Sequence, residues 1–272
     1  MADALAGLRV LAFEARRADE LATLLARHGA EVLRAPALRE TALESTPEAR
    51  DAARRIAAGE VAAVVLLTGV GTKAWAAAVG DEPPRLADVL GAVPIVARGP
   101  KPVAALRELG VAGARPVPPP HTWRETLAVL DGLGLAAGAR VVVQEYGAPP
   151  TALVDALRAR GLDVVRVPVY RWALPADPAP LVAGAETLAR GAADVAVFTN
   201  GAQVEHLFRV APDPDAVRAG LARAVVASVG PVCTEALEAH GVGVDLVASP
   251  PKMGPLVALV AARARELLAA KR

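Results

Sequence analysis

The chain carries its pattern twice. Gly7 and Gly138, the Gly99-Pro100 and Gly230-Pro231 pairs, Gly110 and Gly241, and the Pro119-Pro120 and Pro250-Pro251 pairs all recur at one offset of 131 positions (138 less 7). The sequence between them follows suit. GLRVLAFE (7–14) aligns with GARVVVQE (138–145), VVLLTGVG (64–71) with VAVFTNGA (195–202), and VPIVARGPKPVAALRELGV (93–111) with RAVVASVGPVCTEALEAHGV (223–242). A period this long exceeds that of any solenoid and specifies two related domains.

Each copy opens with an apolar run, a helix-like segment closed by glycine, and a second apolar run. These read RVLAFE, DELATLLARHG and AEVLRAP in the first copy, and RVVVQEYG, TALVDALRARG and LDVVRVPVY in the second. An amphipathic stretch follows (PEARDAARRIAAG or LVAGAETLARG), then a buried strand (VAAVVLLTG or VAVFTNG), a helix, a strand ending in glycine, and another helix. Such alternation predicts an α/β fold with parallel sheets flanked by helices. Right-handed crossovers make each repeat a flavodoxin-like three-layer domain. With 272 residues, 54% of them apolar, there is enough surface for two cores, and with only 3% aromatics Leu, Val and Ala must fill them.

The segments from Arg34 to Thr46 and from Pro168 to Pro180 occupy equivalent places, each just after the second strand of its copy. Two linkers that coincide in the repeat imply that the chain crosses between domains twice, not once at the midpoint. The expected division is a discontinuous domain of 1–36 with 172–272, a second domain of 40–167, and a two-stranded linker at about 35–46 and 168–180. Tyr170, Arg171 and Trp172 fall near this hinge.

A formal charge of +1 argues against a nucleic-acid surface. Cys233 is the only cysteine, which excludes an internal disulfide and a thiolate-rich metal site and fits a reducing compartment. The amino terminus, MADALAGLRV, lacks the features of a secretory leader, and no apolar run approaches the length of a membrane span. A cytoplasmic protein is expected. The four histidines do not cluster: His28 and His240 each precede a glycine that ends a helix, His206 lies within a helix and His121 opens one, so no metal site is expected.

Four glycine-bearing loops follow strands and open helices: Thr68-Gly69-Val70-Gly71, Arg98-Gly99-Pro100, Thr199-Asn200-Gly201 and Val229-Gly230-Pro231. They fall at the carboxyl edges of the expected sheets, where open α/β proteins bind ligands and free helix amides attract anions. None matches a dinucleotide GxGxxG or a Walker lysine loop, so no nucleotide cofactor is indicated.

Three segments carry a family resemblance: FTNGAQVEHLF (198–208), ASVGPVCTEALEAHGV (227–242) and VPVYRW (167–172), with weaker matches at TGVG (68–71) and ARGPKPVAALRELG (97–110). Across nearly its whole length the chain resembles the uroporphyrinogen-III synthase family of tetrapyrrole biosynthesis. The resemblance implies two α/β domains on a paired linker with the active site in the cleft between them. It also implies a lyase that takes hydroxymethylbilane, expels its terminal hydroxyl as water, inverts ring D and closes the macrocycle without a cofactor. The implied partners are this substrate and, in passing, the preceding pathway enzyme, with the protein itself a monomer.

That substrate is flexible, bears eight carboxylates and cyclises unaided to the uninverted isomer, so catalysis consists chiefly of holding one folded conformation. Helix-start amides at the loops are suited to its carboxylates. The expected substrate-binding residues are Thr68, Gly69, Val70, Gly99, Thr199, Asn200, Gly201, Gly230, Pro231, Val232, Cys233 and Thr234, with Arg16, Arg17, Arg98, Lys101 and Arg171 as nearby cations. Tyr170 stands where the family has its linker tyrosine and is the expected proton donor to the leaving hydroxyl, a phenol being neutral at pH 7. Cys233 departs from the family pattern by replacing a threonine, with Thr234 one step later. Either backbone amides make that contact, or Thr234 substitutes, or activity is altered. Cys233 itself reads as a small buried or cleft-lining residue and not a nucleophile. The rival readings are a non-catalytic tetrapyrrole-binding or regulatory homologue and an inactive synthase. Only a helix follows the second repeat, with no winged helix, which disfavours a regulator.

Overall fold

The computed structural model describes residues 3–43, 46–81, 83–145, 147 and 149–271. The first copy runs β1 (Arg9–Ala12), α1 (Ala18–Ala26), β2 (Glu31–Arg34), β3 (Arg39–Ala42), α2 (Pro47–Ala57), β4 (Ala63–Leu66), α3 (Gly69–Val79), α4 (Leu86–Leu90), β5 (Ile95–Ala97), α5 (Pro100–Glu108), β6 (Arg115–Pro116) and α6 (Trp123–Asp131). The second runs β7 (Arg140–Gln144), α7 (Thr151–Ala159), β8 (Asp163–Val167), β9 (Tyr170–Ala173), α8 (Ala179–Ala189), β10 (Val195–Phe198), α9 (Gly201–Val210), α10 (Pro214–Arg223), β11 (Val225–Ser228), α11 (Pro231–Ala239), β12 (Leu246–Val247) and α12 (Met253–Lys271).

These elements form two compact units, Met1–Arg39 with Ala173–Arg272, and Glu40–Trp172. The chain passes between them in β3 and β9, which pair with each other. Glu44 and Ser45, part of the expected first linker, lie outside the described residues. The approach to β3 is anchored where His206 Nδ1 of α9 hydrogen-bonds the carbonyl of Ala37 at 2.7 Å.

Among the described residues the sheet of each unit has five strands, all parallel; the parallel arrangement is as expected, while the short edge strands β6 and β12 add to the strands read from the sequence. One expectation needs correction, since neither sheet is made from a single repeat. The order in the first unit is β12-β11-β10-β1-β2 and in the second β6-β5-β4-β7-β8. Each sheet takes two strands from one copy and three from the other, because the chain departs through β3 or β9 after laying down two strands. Matched by repeat, the two orders are identical. Counted along its own chain the first unit reads 2-1-3-4-5, the flavodoxin order, whereas the second, entered two strands later, reads 3-2-1-4-5.

The structure also corrects the alignment of the copies. Gly29 and Gly161 both follow the helix after the first strand with positive φ, Thr68 and Asn200 cap α3 and α9, and β4 and β10 begin at Ala63 and Val195. Each pair stands one residue farther apart than Gly7 from Gly138, and the original offset returns at Gly99 and Gly230. Thr68 therefore answers to Asn200, Leu67 to Thr199 and Gly71 to Gln203. A slip of one residue would turn every strand side chain to the opposite face, which is why the cores settle the register.

The central strands are buried on both faces, as their unbroken apolar runs require. In the first unit Val10, Ala12, Val195 and Val197 meet Leu21 of α1 and Leu256 and Val260 of α12, while Leu11, Phe13, Ala196 and Phe198 meet Leu181, Leu207 and Leu237 of α8, α9 and α11. In the second, Ala63, Val65, Val141 and Val143 meet Leu127, Leu130, Leu153 and Leu157, while Val64, Leu66 and Val142 meet Ile56, Trp75 and Leu90. Full burial of one such side chain contributes about 1.5–3 kcal/mol. Trp75 is entirely enclosed, and its indole N–H donates to Ala49 O at 2.9 Å.

Candidate functional site

In the second unit the carboxyl edge is organised around the turn from β4 into α3. Thr68 caps α3: its Oγ1 accepts from Gly71 N at 3.0 Å, and Thr72 Oγ1 donates to Thr68 O at 2.9 Å. The same Thr68 Oγ1 lies 3.2 Å from the hydroxyl of Tyr170. Tyr170 begins β9 and is 6% exposed, its ring packed in the core with Val167 and Val169. Its phenol is thus held by packing at one end and by a hydroxyl at the other.

The turn itself is tied from the neighbouring strand. Gln144 ends β7 in register with Leu66, is fully buried, and its Oε1 accepts from both Leu67 N and Thr68 N at 3.3 Å. Arg98 Nε donates to Leu67 O at 3.1 Å, joining the β5–α5 turn to it. Gly69 brings α3 and α5 together, since a Cβ there would stand 2.6 Å from Lys101 O. Two helix amino ends therefore adjoin and their dipoles share one patch of partial positive charge, although Pro100 and Pro102 leave Lys101 as the one N–H donor among the first three residues of α5. Lys101 and Val70 are exposed beside it. Beyond Gly99, a cleft of about 660 Å³ lies between α5 and the segment after β6, with Val103, Ala104, Arg107, Val117 and His121 in its lining.

The first unit repeats this plan with different side chains. Asn200 caps α9 through Oδ1, which accepts from Ala202 N at 2.9 Å. Thr199 N donates to Gln203 Oε1 and Gln203 Nε2 donates to Thr199 Oγ1, both at 2.8 Å, while Thr199 Oγ1 donates to Glu14 Oε2. Gly201 faces α11, with a Cβ there 3.1 Å from Ala236 Cβ and 3.5 Å from Val232 O. Val232 answers to Lys101, so the second pair of helix starts approaches through the corresponding contact. Val232 is itself exposed, and Pro231 sits at the first position of α11, where its missing N–H costs no intrahelical hydrogen bond but leaves this helix start one donor fewer.

At the β11–α11 turn, Ser228 Oγ donates to Gly230 O at 3.0 Å, and Thr234 Oγ1 lies 3.0 Å from Ser228 Oγ and 3.2 Å from Gly230 O. The Thr234 hydroxyl is thus engaged with its own turn. Cys233 is 3% exposed, and burial pushes its thiol up to about 11, against smaller opposing hydrogen bonds to Ser228, Val229 and Asn200. Such a thiol is neutral and unreactive at neutral pH.

Among the expected cations, Arg16 and Arg17 lie exposed on the turn after β1. The Arg17 guanidinium forks onto Glu20, with Nε to Oε2 at 2.6 Å, while its backbone N–H donates to Glu14 Oε1 at 2.9 Å. The hydrogen bond to Glu20 raises the guanidinium above its already high ordinary value. Arg171 follows Tyr170 in β9 and is exposed.

Thr68, Gly69, Val70, Arg98, Gly99, Lys101 and Tyr170 all belong to the second unit. Arg16, Arg17, Thr199, Asn200, Gly201, Gly230, Pro231, Val232, Cys233 and Thr234 belong to the first. The sequence reading overlooked Gln144, Gln203, Ser228 and the carboxylates Glu14 and Glu145. Glu145 is 5% exposed and salt-bridged to Arg166. The two carboxylates had a visible signal, for both end the aligned segments GLRVLAFE and GARVVVQE.

Comparison with known proteins agrees with this architecture. The sequence profile of the family described as Uroporphyrinogen-III synthase HemD matches residues 19–258. A protein of Methanothermobacter thermautotrophicus, provisionally named for that synthase, is 30% identical over 128 residues, 46% of this chain and about half the length of that relative. A crystal structure of a mutant uroporphyrinogen III synthase from the extremely thermophilic bacterium Thermus thermophilus matches with a TM-score of 0.76 and 30% identity over 96% of this chain and 100% of that one. The Helicobacter pylori uroporphyrinogen-III synthetase, 12% identical over 97% of this chain and 100% of its own, shares the fold with a TM-score of 0.52. With most of its length matched by that profile and both sheets of the expected kind, the chain belongs to the uroporphyrinogen-III synthase family.

Proposed function

We propose that this protein is an active synthase that converts hydroxymethylbilane to uroporphyrinogen III, losing water and inverting ring D. The observation that carries the reading is the hydroxyl pair of Thr68 and Tyr170, 3.2 Å apart beside the adjoining amino ends of α3 and α5. A linear tetrapyrrole offers carboxylates to helix amides and apolar faces to exposed valines, and Val70 and Val232 are 45% and 40% exposed at helix starts of the two units. Lys101, Arg98, Arg16, Arg17 and Arg171 supply further positive charge, and Gly69, Gly99, Gly201, Gly230 and Pro231 shape the turns that present these groups. Thr199, Asn200 and Thr234 hold those turns.

In the reaction the Tyr170 phenol donates to the departing hydroxyl, and the bound conformation brings the exposed methylene carbon to ring D before the chain can close in its uninverted form. General acid catalysis of this kind contributes roughly 10²–10⁴ in rate. Cys233 takes no covalent part. It packs beneath the β11–α11 turn, where backbone amides take over the contact that a threonine hydroxyl would make.

The protein is further proposed to act as a cytoplasmic monomer and to receive its unstable substrate in transient contact with the preceding enzyme. Among the described residues no helix is long and apolar enough to cross a membrane. The test is to add the protein to freshly generated hydroxymethylbilane and separate the oxidised products into isomers. Type III in excess of the blank supports the synthase, with Tyr170→Phe expected to lower turnover by at least tenfold. Type I alone, at the rate of the blank, would leave a tetrapyrrole-binding homologue.

A further inference from the structure

The duplicated scaffold provides an internal control for its own side chains. At the end of the first strand the first unit carries Phe13, stacked on Phe198 at 4.5 Å, where the second unit carries Gln144. At the third position of the helix that follows the central strand, the first unit carries Gln203 and the second Gly71. In both units an amide Oε1 accepts the backbone N–H at the head of the turn, that of Thr199 or of Leu67. The glutamine comes from the helix in one copy and from the adjacent strand in the other. Phe13 with Gln203 has been exchanged for Gln144 with Gly71.

The two solutions are not equally satisfied. Gln203 Nε2 donates to Thr199 Oγ1, whereas Gln144 Nε2, fully buried, has no hydrogen-bond partner among the described residues. The partner position is held by Leu67, which has no hydroxyl. Gln144 also requires Gly71, since a Cβ there would lie 2.0 Å from Nε2. The fold accepts an apolar residue at this site, as Phe13 shows, so a buried amide with an unmatched donor is a burden on stability. What it adds is a second bond, because its Oε1 also accepts Thr68 N at 3.3 Å and so fixes the residue whose hydroxyl meets Tyr170.

We infer that Gln144 is a positioning residue for the reaction, locking the Leu67-Thr68 turn so that the Thr68 hydroxyl orients the phenol of Tyr170. The inference rests on the proposed role of Tyr170. Thr68 Oγ1 already accepts Gly71 N, and it is suited to donate its own proton to the phenol oxygen and so leave the phenolic proton to point at substrate. Misplacement of a reacting group by about an ångström costs up to roughly a hundredfold in rate, which sets the size of the expected effect.

The experiment measures isomer formation and thermal unfolding for Gln144→Met, Gln144→Glu and Tyr170→Phe, and for the Gln144→Met/Tyr170→Phe double variant. Gln144→Met is expected to melt at or above the temperature of the parent while kcat falls roughly ten- to a hundredfold, KM changes less than about twofold, and the product mixture drifts toward type I. Gln144→Glu keeps an acceptor for both N–H groups and should retain most of kcat, which also provides a readout if the methionine variant folds poorly. In the Tyr170→Phe background the methionine substitution should have no further effect. An equal loss of kcat in both backgrounds, or a loss of kcat that tracks a falling melting temperature, would overturn the inference. Full activity of Gln144→Met beside an impaired Tyr170→Phe overturns it while sparing the tyrosine. Full activity of Tyr170→Phe overturns both.

Discussion

At the scale of single residues, the site divides into groups that motifs disclose and groups that only strand register can disclose. Tyr170, Thr199, Asn200 and the glycine turns stand in recognisable segments. Gln144 ends a run of three valines, and its purpose depends on being paired with Leu66 across two parallel strands, a fact of register that no local pattern carries. Cys233 shows the reverse, a conspicuous residue with a quiet role. Its thiol is raised from 9.0 to about 11 by burial, so the folded protein keeps it protonated in a range where the unfolded chain ionises. The associated stability is fully present below pH 9 and is lost as pH rises toward 11, an effect on the order of 2 kcal/mol. Urea titrations at pH 7, 9 and 10.5 should show the parent losing more stability than Cys233→Ala across this span. At pH 8 the native thiol should resist iodoacetamide and react only after unfolding.

At the scale of elements, the helices and central strands could be read from periodicity, while the short pieces could not. β6 and β12 have two residues each and lie at sheet edges, too brief to leave an alternating pattern. α10, which the sequence reading does not separate from its neighbours, carries its own start signal, since Asp213 caps it by accepting Ala216 N and Pro214 opens it. Gly69 and Gly201 are better explained by helix-to-helix approach than by turn geometry, and the two copies differ in how close that approach is, whereas Gly99 takes a φ of +84° that its turn requires. Gly69→Ala would push against a backbone carbonyl at 2.6 Å, which cannot swing away, and should destabilise by roughly 1–3 kcal/mol. Gly201→Ala meets a methyl at 3.1 Å and should cost less than about 1 kcal/mol, the helix preference for alanine offsetting part of the strain. Thermal denaturation of the two variants tests this order, at about 2–4 °C per kcal/mol for a domain of 150–250 residues.

At the scale of the whole molecule, the repeat in the sequence and the units in space have different boundaries. The sequence made the duplication plain and its coincident linkers carried the expectation of a double crossing, which is incompatible with each repeat closing a three-layer domain of its own, because strand exchange is decided by where the chain leaves and not by which residues are apolar. A fragment of residues 40–172 contains a complete five-stranded sheet with both of its cores, and should melt cooperatively by circular dichroism. A fragment of residues 1–131, one full repeat, holds two strands of one sheet and three of the other and should remain largely unfolded. The same exchange fixes the order of events on the ribosome. β1 emerges early, yet its partner β10 follows only after the entire second unit has been made. At 5–20 residues per second that interval is roughly ten to forty seconds. Throughout it Val10, Leu11 and Phe13 have no finished core to enter, which makes the first forty residues the stretch of the nascent chain most open to chaperones and proteases.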